Sequence, residues 1–185
     1  MKKIVLGVAI ILASLFSLAA KAEVEKFIQL GGDNIRPIFR LKFTPPANWE
    51  ANAEGTKQFG LPVYAPKGQG FHEAPAIIYI RVSYNENKRP VWQFIEVSQD
   101  RWKKAVPDTQ VTKVSNEKRD NGQGEFLVYQ IRNPSHPAQG YEMLAYGEDK
   151  DKDGNTYFVM ISITAKSQKS LEDAEKTYRA ALRTH

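Results

Sequence analysis

The sequence predicts an α+β domain in which a mostly antiparallel sheet carries helices on its surface. Two observations support this prediction. Segments that alternate between polar and apolar residues, as strands do, recur along the chain, and three of them follow one another between residues 124 and 165. Two other segments show the helical period instead, one in the middle of the chain and one at its C-terminal end.

The first 22 residues have the pattern of a secretory signal peptide. Two lysines precede an apolar run from Ile4 to Leu18, and Ala20 and Ala22 supply the small residues that a signal peptidase recognises. A membrane anchor is the alternative, but the run is shorter than the ~20 residues of a spanning helix. We therefore expect a signal peptide at 1–22, one periplasmic or secreted domain at 23–185, and no integral membrane segment after cleavage.

The charge and the cysteine content of the chain argue against several classes of function. The whole chain has 26 basic and 21 acidic residues, a net charge of +5, and three of the lysines lie in the predicted signal peptide. The remaining charge of +2 gives no electrostatic reason to expect a nucleic-acid partner. Because the chain has no cysteine, it has no disulfides, no thiol nucleophile and no residue for a bacterial lipid anchor.

The N-terminal half is predicted to consist of short strands and turns. Ala76–Tyr84 is the clearest strand, because Ile78, Ile80, Val82 and Tyr84 share one apolar face that should lie against the core. The weaker predictions are a short strand or an irregular start at 23–30, a half-buried strand at 35–43, a polar loop at 51–60 and a short strand at 61–65.

The C-terminal half is predicted to contain both helices. Proline is favoured at the first helical position, so Pro90 should open a helix that runs to Ala105. Leu171, Tyr178 and Leu182 belong to the apolar stripe of a closing helix at 170–183. The strands predicted between the helices are a weak one at 111–118 and then EFLVYQI at 125–131, GYEMLAYG at 140–147 and NTYFVMISITA at 155–165.

The order of these elements resembles the PsbP-like fold family, as found in bacterial periplasmic proteins. The similarity lies in FTPPANW at 43–49, in the strand at 76–84 followed by the helix that carries Trp92 and Trp102, and in the terminal strands and helix. The resemblance implies an α/β/α sandwich with a role in binding or assembly. It implies no catalytic residues.

The segment DKDKDG is the strongest chemical motif. Asp149, Asp151 and Asp153 alternate, and Gly154 occupies the position at which calcium-binding loops turn sharply. The acid expected at position twelve is replaced by Met160, and the flanking segments are strands rather than helices. The sequence leaves two alternatives, a solvated hairpin turn and a weak calcium site formed by the three aspartates.

Two histidines allow a hydrolase alternative. His72 lies before a strand and His136 lies in a turn, so neither is placed beside the other by sequence spacing. The chain lacks the G-x-S-x-G nucleophile motif and the glycine-rich phosphate-binding loops. The sequence therefore predicts no catalytic residues. The alternative to a hydrolase is that the two histidines are exposed and unrelated to each other.

Trp92 and Trp102 are the candidate partner-binding residues. They lie ten positions apart on one helix, which separates them by about 80° around its axis. One indole can therefore pack on the sheet while the other lies at its margin, where tryptophan often anchors a partner. The alternative is that both are core or boundary residues.

These observations favour a non-enzymatic accessory or binding protein of the envelope that contacts another protein and needs no cofactor. One alternative is a weak calcium- or small-ligand-binding protein that uses the acidic hairpin at 149–155. The other is a hydrolase that uses His72 or His136.

Overall fold

The computed structural model describes residues 24–31, 34–135 and 141–185. The predicted signal peptide and His136 lie outside these ranges. No helix in the described ranges is long and apolar enough to span a membrane. The elements are β1 (Val24–Gly31), β2 (Asn34–Leu41), β3 (Trp49–Ala51), α1 (Ala53–Phe59), β4 (Val63–Pro66), β5 (Ala76–Tyr84), α2 (Val91–Ala105), β6 (Gln110–Lys118), β7 (Glu125–Arg132), β8 (Tyr141–Lys150), β9 (Thr156–Ala165) and α3 (Gln168–Thr184).

A seven-stranded antiparallel sheet forms the centre of the fold and confirms the predicted α+β class. Its strand order is β3-β4-β5-β9-β8-β7-β6, while β1 and β2 form a separate antiparallel hairpin. Strand β9 lies in the middle, paired along its whole length with β5 and β8. A strand in this position needs apolar side chains on both faces, and residues 157–163 are all buried.

Alternate residues of β9 contact different helices. Val159, Ile161 and Ile163 belong to a cluster with Tyr178 and Leu182 of α3, both of which are fully buried. The Tyr178 hydroxyl also donates a hydrogen bond of 2.7 Å to the carbonyl of Ile161. Because successive side chains of a strand point to opposite faces, this cluster occupies one face of the sheet only.

The opposite face is covered by α2 over part of its area. Met160 of β9 packs with Ile95, the one buried residue among those of α2. Phe94 stacks on Phe158 with ring centroids 4.7 Å apart. The sheet therefore lies between two helices, and the two cover it unequally.

The polar loop predicted at 51–60 is wrong, because Ala53–Phe59 forms helix α1. Asn52 caps its first turn by accepting a hydrogen bond of 2.8 Å from the Gly55 amide, and Gly60 ends it in the left-handed conformation. Gly55 is also required by packing, since a Cβ there would lie 2.6 Å from a ring carbon of Phe71.

Two other expectations are corrected at the ends of strands. The alternation in β5 predicts that Tyr84 is buried with Ile78 and Ile80, but it is 46% exposed at the last position of the strand. Its ring lies at the margin of the fold, 5.4 Å from that of Tyr157. Strand β8 continues to Lys150, three residues beyond the predicted end, and this extension changes the interpretation of the acidic motif.

Candidate functional site

Asp149 lies in β8 and is buried in an ion pair. Its side chain is 2% exposed, and Arg119 approaches it at 3.1 Å. The Arg119 guanidinium also lies over the ring of Phe126, 4.1 Å from its centroid. A Cβ at Gly147 would be 2.7 Å from the same guanidinium, so this strand position needs glycine. The sequence spacing gave no sign of this ion pair, because Arg119 is 30 residues away.

Asp151 forms the turn between β8 and β9. Its carboxylate accepts hydrogen bonds from the backbone amides of Asp153 and Asn155, each at 2.9 Å. The side chains of Asn155 and Tyr157 donate two more, both at 2.8 Å. Desolvation opposes ionisation, but these hydrogen bonds outweigh it and lower the pKa of Asp151. The side chain of Asp151 therefore organises the hairpin.

The three aspartates of the predicted calcium site have different surroundings. Asp149 is buried against Arg119, Asp151 bonds within the turn, and Asp153 is exposed. Within the described ranges, no group of three or more acidic or histidine side chains is arranged to hold a metal. The geometry favours the hairpin-turn alternative, and calcium binding stays a prediction for a titration to test.

His72 lies on the surface beside one carboxylate. Its Nε2 is 3.5 Å from Glu54 Oε1, and both side chains are more than half exposed. Ser135 donates its hydroxyl to Asp108, and the neighbouring His136 lies outside the described residues. The hydrolase hypothesis, which uses His72 or His136, therefore stays a prediction.

The two tryptophans of α2 have different environments. Trp92, in the first turn, is 52% exposed. Trp102, three turns later, is half-buried and packs against the apolar cluster that contains Ile95 and Met160. Their separation around the helix axis explains the difference. Trp92 is thus free to contact another molecule, whereas Trp102 belongs to the wall of a cleft.

A buried carboxyl group lies on the same face of the sheet as α2. Glu142 of β8 is 2% exposed and lies directly opposite Thr164 of β9 in the strand register. Tyr79 of β5 lies opposite Ser162, one strand further across, and its hydroxyl donates a hydrogen bond to Glu142. Among the described residues, no cation pairs with this carboxyl group.

Burial changes the acidity of this group and its neighbours. Desolvation raises the pKa of Glu142 from 4.5 to about 7, although hydrogen bonds from Tyr79 and Thr164 oppose the rise. Burial also raises the pKa of Tyr146, which lies on the same face of β8, to about 12. The Tyr146 hydroxyl is hydrogen-bonded to Ser98 of α2 at 2.8 Å. Polar groups therefore lie between the helix and the sheet.

An open cleft of about 390 Å³ lies between α2 and β5, close to this polar group. One wall is the second half of α2 and the other is the sheet. The lining residues are Tyr79, Arg81, Ser83, Phe94, Val97, Ser98, Arg101, Trp102, Ala105 and Met160. We call this feature the α2 cleft.

The α2 cleft is positively charged. Arg81 projects from β5 and Arg101 from α2, and both are exposed. Neither forms an ion pair with a described residue, and no described carboxylate lines the cleft. The Tyr79 ring is held in place by a stack on Phe59 of α1, with centroids 5.9 Å apart. The cleft therefore presents two cations beside aromatic surface.

Sequence reasoning missed the Glu142–Tyr79 pair and the α2 cleft. The single available signal was one acidic residue, Glu142, in the otherwise apolar strand segment GYEMLAYG. The partner Tyr79 is 63 residues away and comes close only through the order β5-β9-β8.

No family model matches this chain, and no curated protein is significantly similar to it.

Proposed function

We propose that the chain is a non-enzymatic accessory protein of the bacterial envelope that binds another protein through the outer surface of α2. The observation that carries the proposal is the exposure of Trp92, a large aromatic side chain that is 52% accessible in the first turn of α2. Tryptophan is among the residues enriched at binding hot spots, so an exposed indole is a candidate anchor for a partner.

The surroundings of Trp92 define the partner's chemistry. Glu96 lies one turn further along α2, on the same side of the helix, and is exposed. A matching partner would offer an apolar pocket for the indole, with a basic side chain at its rim facing Glu96. Such a surface belongs to a folded protein rather than to a membrane or a nucleic acid.

Two sequence observations support the envelope location and the accessory role. The leader at 1–22 has the charged, apolar and small-residue parts of a secretory signal, so the domain would be released outside the cytoplasm. The resemblance to PsbP-like proteins, together with the α/β/α layers, favours binding or assembly over catalysis. N-terminal sequencing of the protein recovered from the envelope should begin at Glu23.

Photocrosslinking in living cells tests the proposal. A photoreactive amino acid at position 92 should give one defined adduct, identified by mass spectrometry. The same residue at Lys176, which is exposed on α3 on the opposite face of the sheet, serves as the matched control and should give none. Adducts of equal yield from the two positions would contradict the proposal.

Affinity for the purified partner then measures the contribution of Trp92. Trp92→Ala should weaken binding about 30-fold, as for the loss of one tryptophan hot spot. Glu96→Lys should weaken it as well, whereas Val114→Ala, an exposed apolar residue on β6, should not. An unchanged affinity in Trp92→Ala would remove the proposed anchor.

A further inference from the structure

The α2 cleft is a feature of this face that the protein–protein proposal does not use. Its volume of about 390 Å³ lies within the range of pockets that hold small organic molecules. It is separate from the exposed Trp92, which is not among its lining residues. A ligand in the cleft would therefore be a second function, independent of the partner bound through Trp92.

The charge of the cleft selects the ligand's polar group. Arg81 and Arg101 reach the cleft from opposite walls, and neither is neutralised by a described carboxylate. Arg81 lies opposite Met160 of β9, which lies opposite Tyr146 of β8, so Arg81 projects from the same row of the sheet as the Tyr146 side chain that bonds to Ser98. Two arginines facing each other suit a carboxylate or a phosphate, because a guanidinium donates paired hydrogen bonds to either group.

The apolar lining selects the rest of the ligand. Trp102 and Phe94 provide aromatic surface on the helix wall, and Met160 provides a flexible thioether on the sheet. Flat ring systems gain most from such surroundings, since they stack on aromatic side chains and on guanidinium planes. A small hydrophilic anion, such as inorganic phosphate, would leave this surface unused.

We propose that the α2 cleft binds a small aromatic anion, whose carboxylate or phosphate is held between Arg81 and Arg101 and whose ring lies against Trp102 and Phe94. Ser83 lines the same cleft, and its hydroxyl can donate a further hydrogen bond to the anion. The buried Glu142 lies behind Tyr79 and is not among the residues lining the cleft, so it does not meet the ligand directly.

A chemical-shift titration of the full chain, expressed with its own leader and labelled with ¹⁵N, tests the proposal. The probes are 2-naphthoate, 2-naphthyl phosphate and the neutral 2-naphthamide. The two anions should shift amides of 79–83 in β5 and of 97–105 in α2. The amide probe should bind at least about tenfold more weakly, because it lacks the charge that the arginines recognise. Whichever anion binds more tightly identifies the preferred head group.

Three variants distinguish specific recognition of the anion from non-specific binding to the protein surface. Arg81→Gln and Arg101→Gln should each weaken 2-naphthoate about tenfold and leave the binding of 2-naphthamide unchanged. Arg89→Gln, an exposed arginine outside the cleft, is the matched control and should change the affinity less than twofold. All three side chains are exposed, so the melting temperatures should stay equal.

Two results would overturn the proposal. One is equal affinity of the wild-type chain for 2-naphthoate and 2-naphthamide, which would show that charge is not recognised. The other is an Arg89→Gln variant that loses as much affinity as Arg101→Gln, which would show that the two cleft arginines have no special role.

Discussion

The two faces of the central sheet are covered by helices that bury very different numbers of side chains. Helix α3 places Leu171, Tyr178 and Leu182 against the sheet with almost no exposure, and Ser167 caps its first turn. Helix α2 buries Ile95 alone and begins at Pro90 without a side-chain cap. Both helices are amphipathic, so their sequences alone would suggest similar roles.

The difference continues in the strands beneath them. Below α3, the side chains of β9 that face the helix are Val159, Ile161 and Ile163, all fully buried. Below α2, the same strand contributes Met160 but also Ser162, and β8 contributes Glu142. The α3 face also contains buried charges, but Arg119 and Asp149 there neutralise each other in an ion pair, whereas Glu142 has no described cation beside it. Buried polar groups without a charged partner, together with an open cleft, weaken a core. We infer that the α3 face holds the fold together, while the α2 face is available for binding.

The largest effect should come from a cavity on the α3 face. Leu182→Ala should lower the free energy of unfolding by about 3–4 kcal/mol, because the leucine is fully buried in an apolar cluster. Val97→Ala, which is 49% exposed on α2, should change it by less than about 0.5 kcal/mol. Urea denaturation measures both values. Similar losses of unfolding free energy in the two variants would show that the two faces contribute equally to stability.

Glu142 should make the stability of the wild type depend on pH. The unfolded chain ionises this carboxyl group near pH 4.5, but the folded chain keeps the proton until about pH 7. Within this window the folded state therefore binds more protons than the unfolded state. Protonated Glu142 contributes its full share to the free energy of unfolding below pH 4.5, and this contribution is lost as the pH rises to 7. The loss is on the order of 3 kcal/mol for a fully buried group.

Glu142→Gln isolates this contribution. The groups that face Glu142 are Tyr79 from β5, Thr164 from β9 and Tyr146 on its own strand, and none of them titrates between pH 4.5 and 7. The difference in unfolding free energy between the wild type and Glu142→Gln should therefore change by the full contribution of the Glu142 carboxyl group between pH 4.5 and 8. A difference that is independent of pH would show that the carboxyl group has its ordinary pKa.

The two tryptophans sharpen the comparison within α2. Trp102→Ala should lower the free energy of unfolding by about 2 kcal/mol, because the half-buried indole packs on the Ile95 cluster. Trp92→Ala should lower it by less than about 0.5 kcal/mol, since the indole is mostly exposed. Thermal and urea unfolding of both variants check these values. Equal destabilisation would mean that Trp92 is a packing residue rather than an anchor.

Calcium should have the smallest effect. Asp149 is committed to Arg119 and Asp151 to four hydrogen bonds in its turn, so a bound cation would have to break existing contacts. Millimolar calcium should raise the free energy of unfolding by less than about 0.5 kcal/mol. A larger increase that disappears in Asp153→Asn would instead support the predicted site.

Local sequence patterns were sufficient where an element's own residues decide its structure. The alternation in Ala76–Tyr84 and the apolar stripe of α3 predicted those elements because burial of one face requires that spacing. Helix α1 could have been recognised from Asn52 and Gly60, which are residue types that cap helices.

The sites could not be predicted in the same way, because they depend on strand order. The charged neighbours of Asp149 predict a hairpin turn, whereas the residue lies in β8 and its partner Arg119 lies in the turn between β6 and β7. Arg81 and Arg101 line the same cleft only after α2 has packed on the sheet. Contacts between residues far apart in sequence depend on the order of the strands in the sheet, and the alternation within one strand does not specify which strands are its neighbours.

Native-state hydrogen exchange tests the central contrast most directly. Amides of α3 between Leu171 and Leu182 should exchange only by global unfolding, with an opening free energy equal to the free energy of unfolding measured in urea. Amides of α2 between Val97 and Ala105 should open with at least about 1 kcal/mol less, since this helix buries little and bounds a cleft. Equal protection of the two helices would contradict the account, because the α2 face would then be as much a part of the structural core as the α3 face.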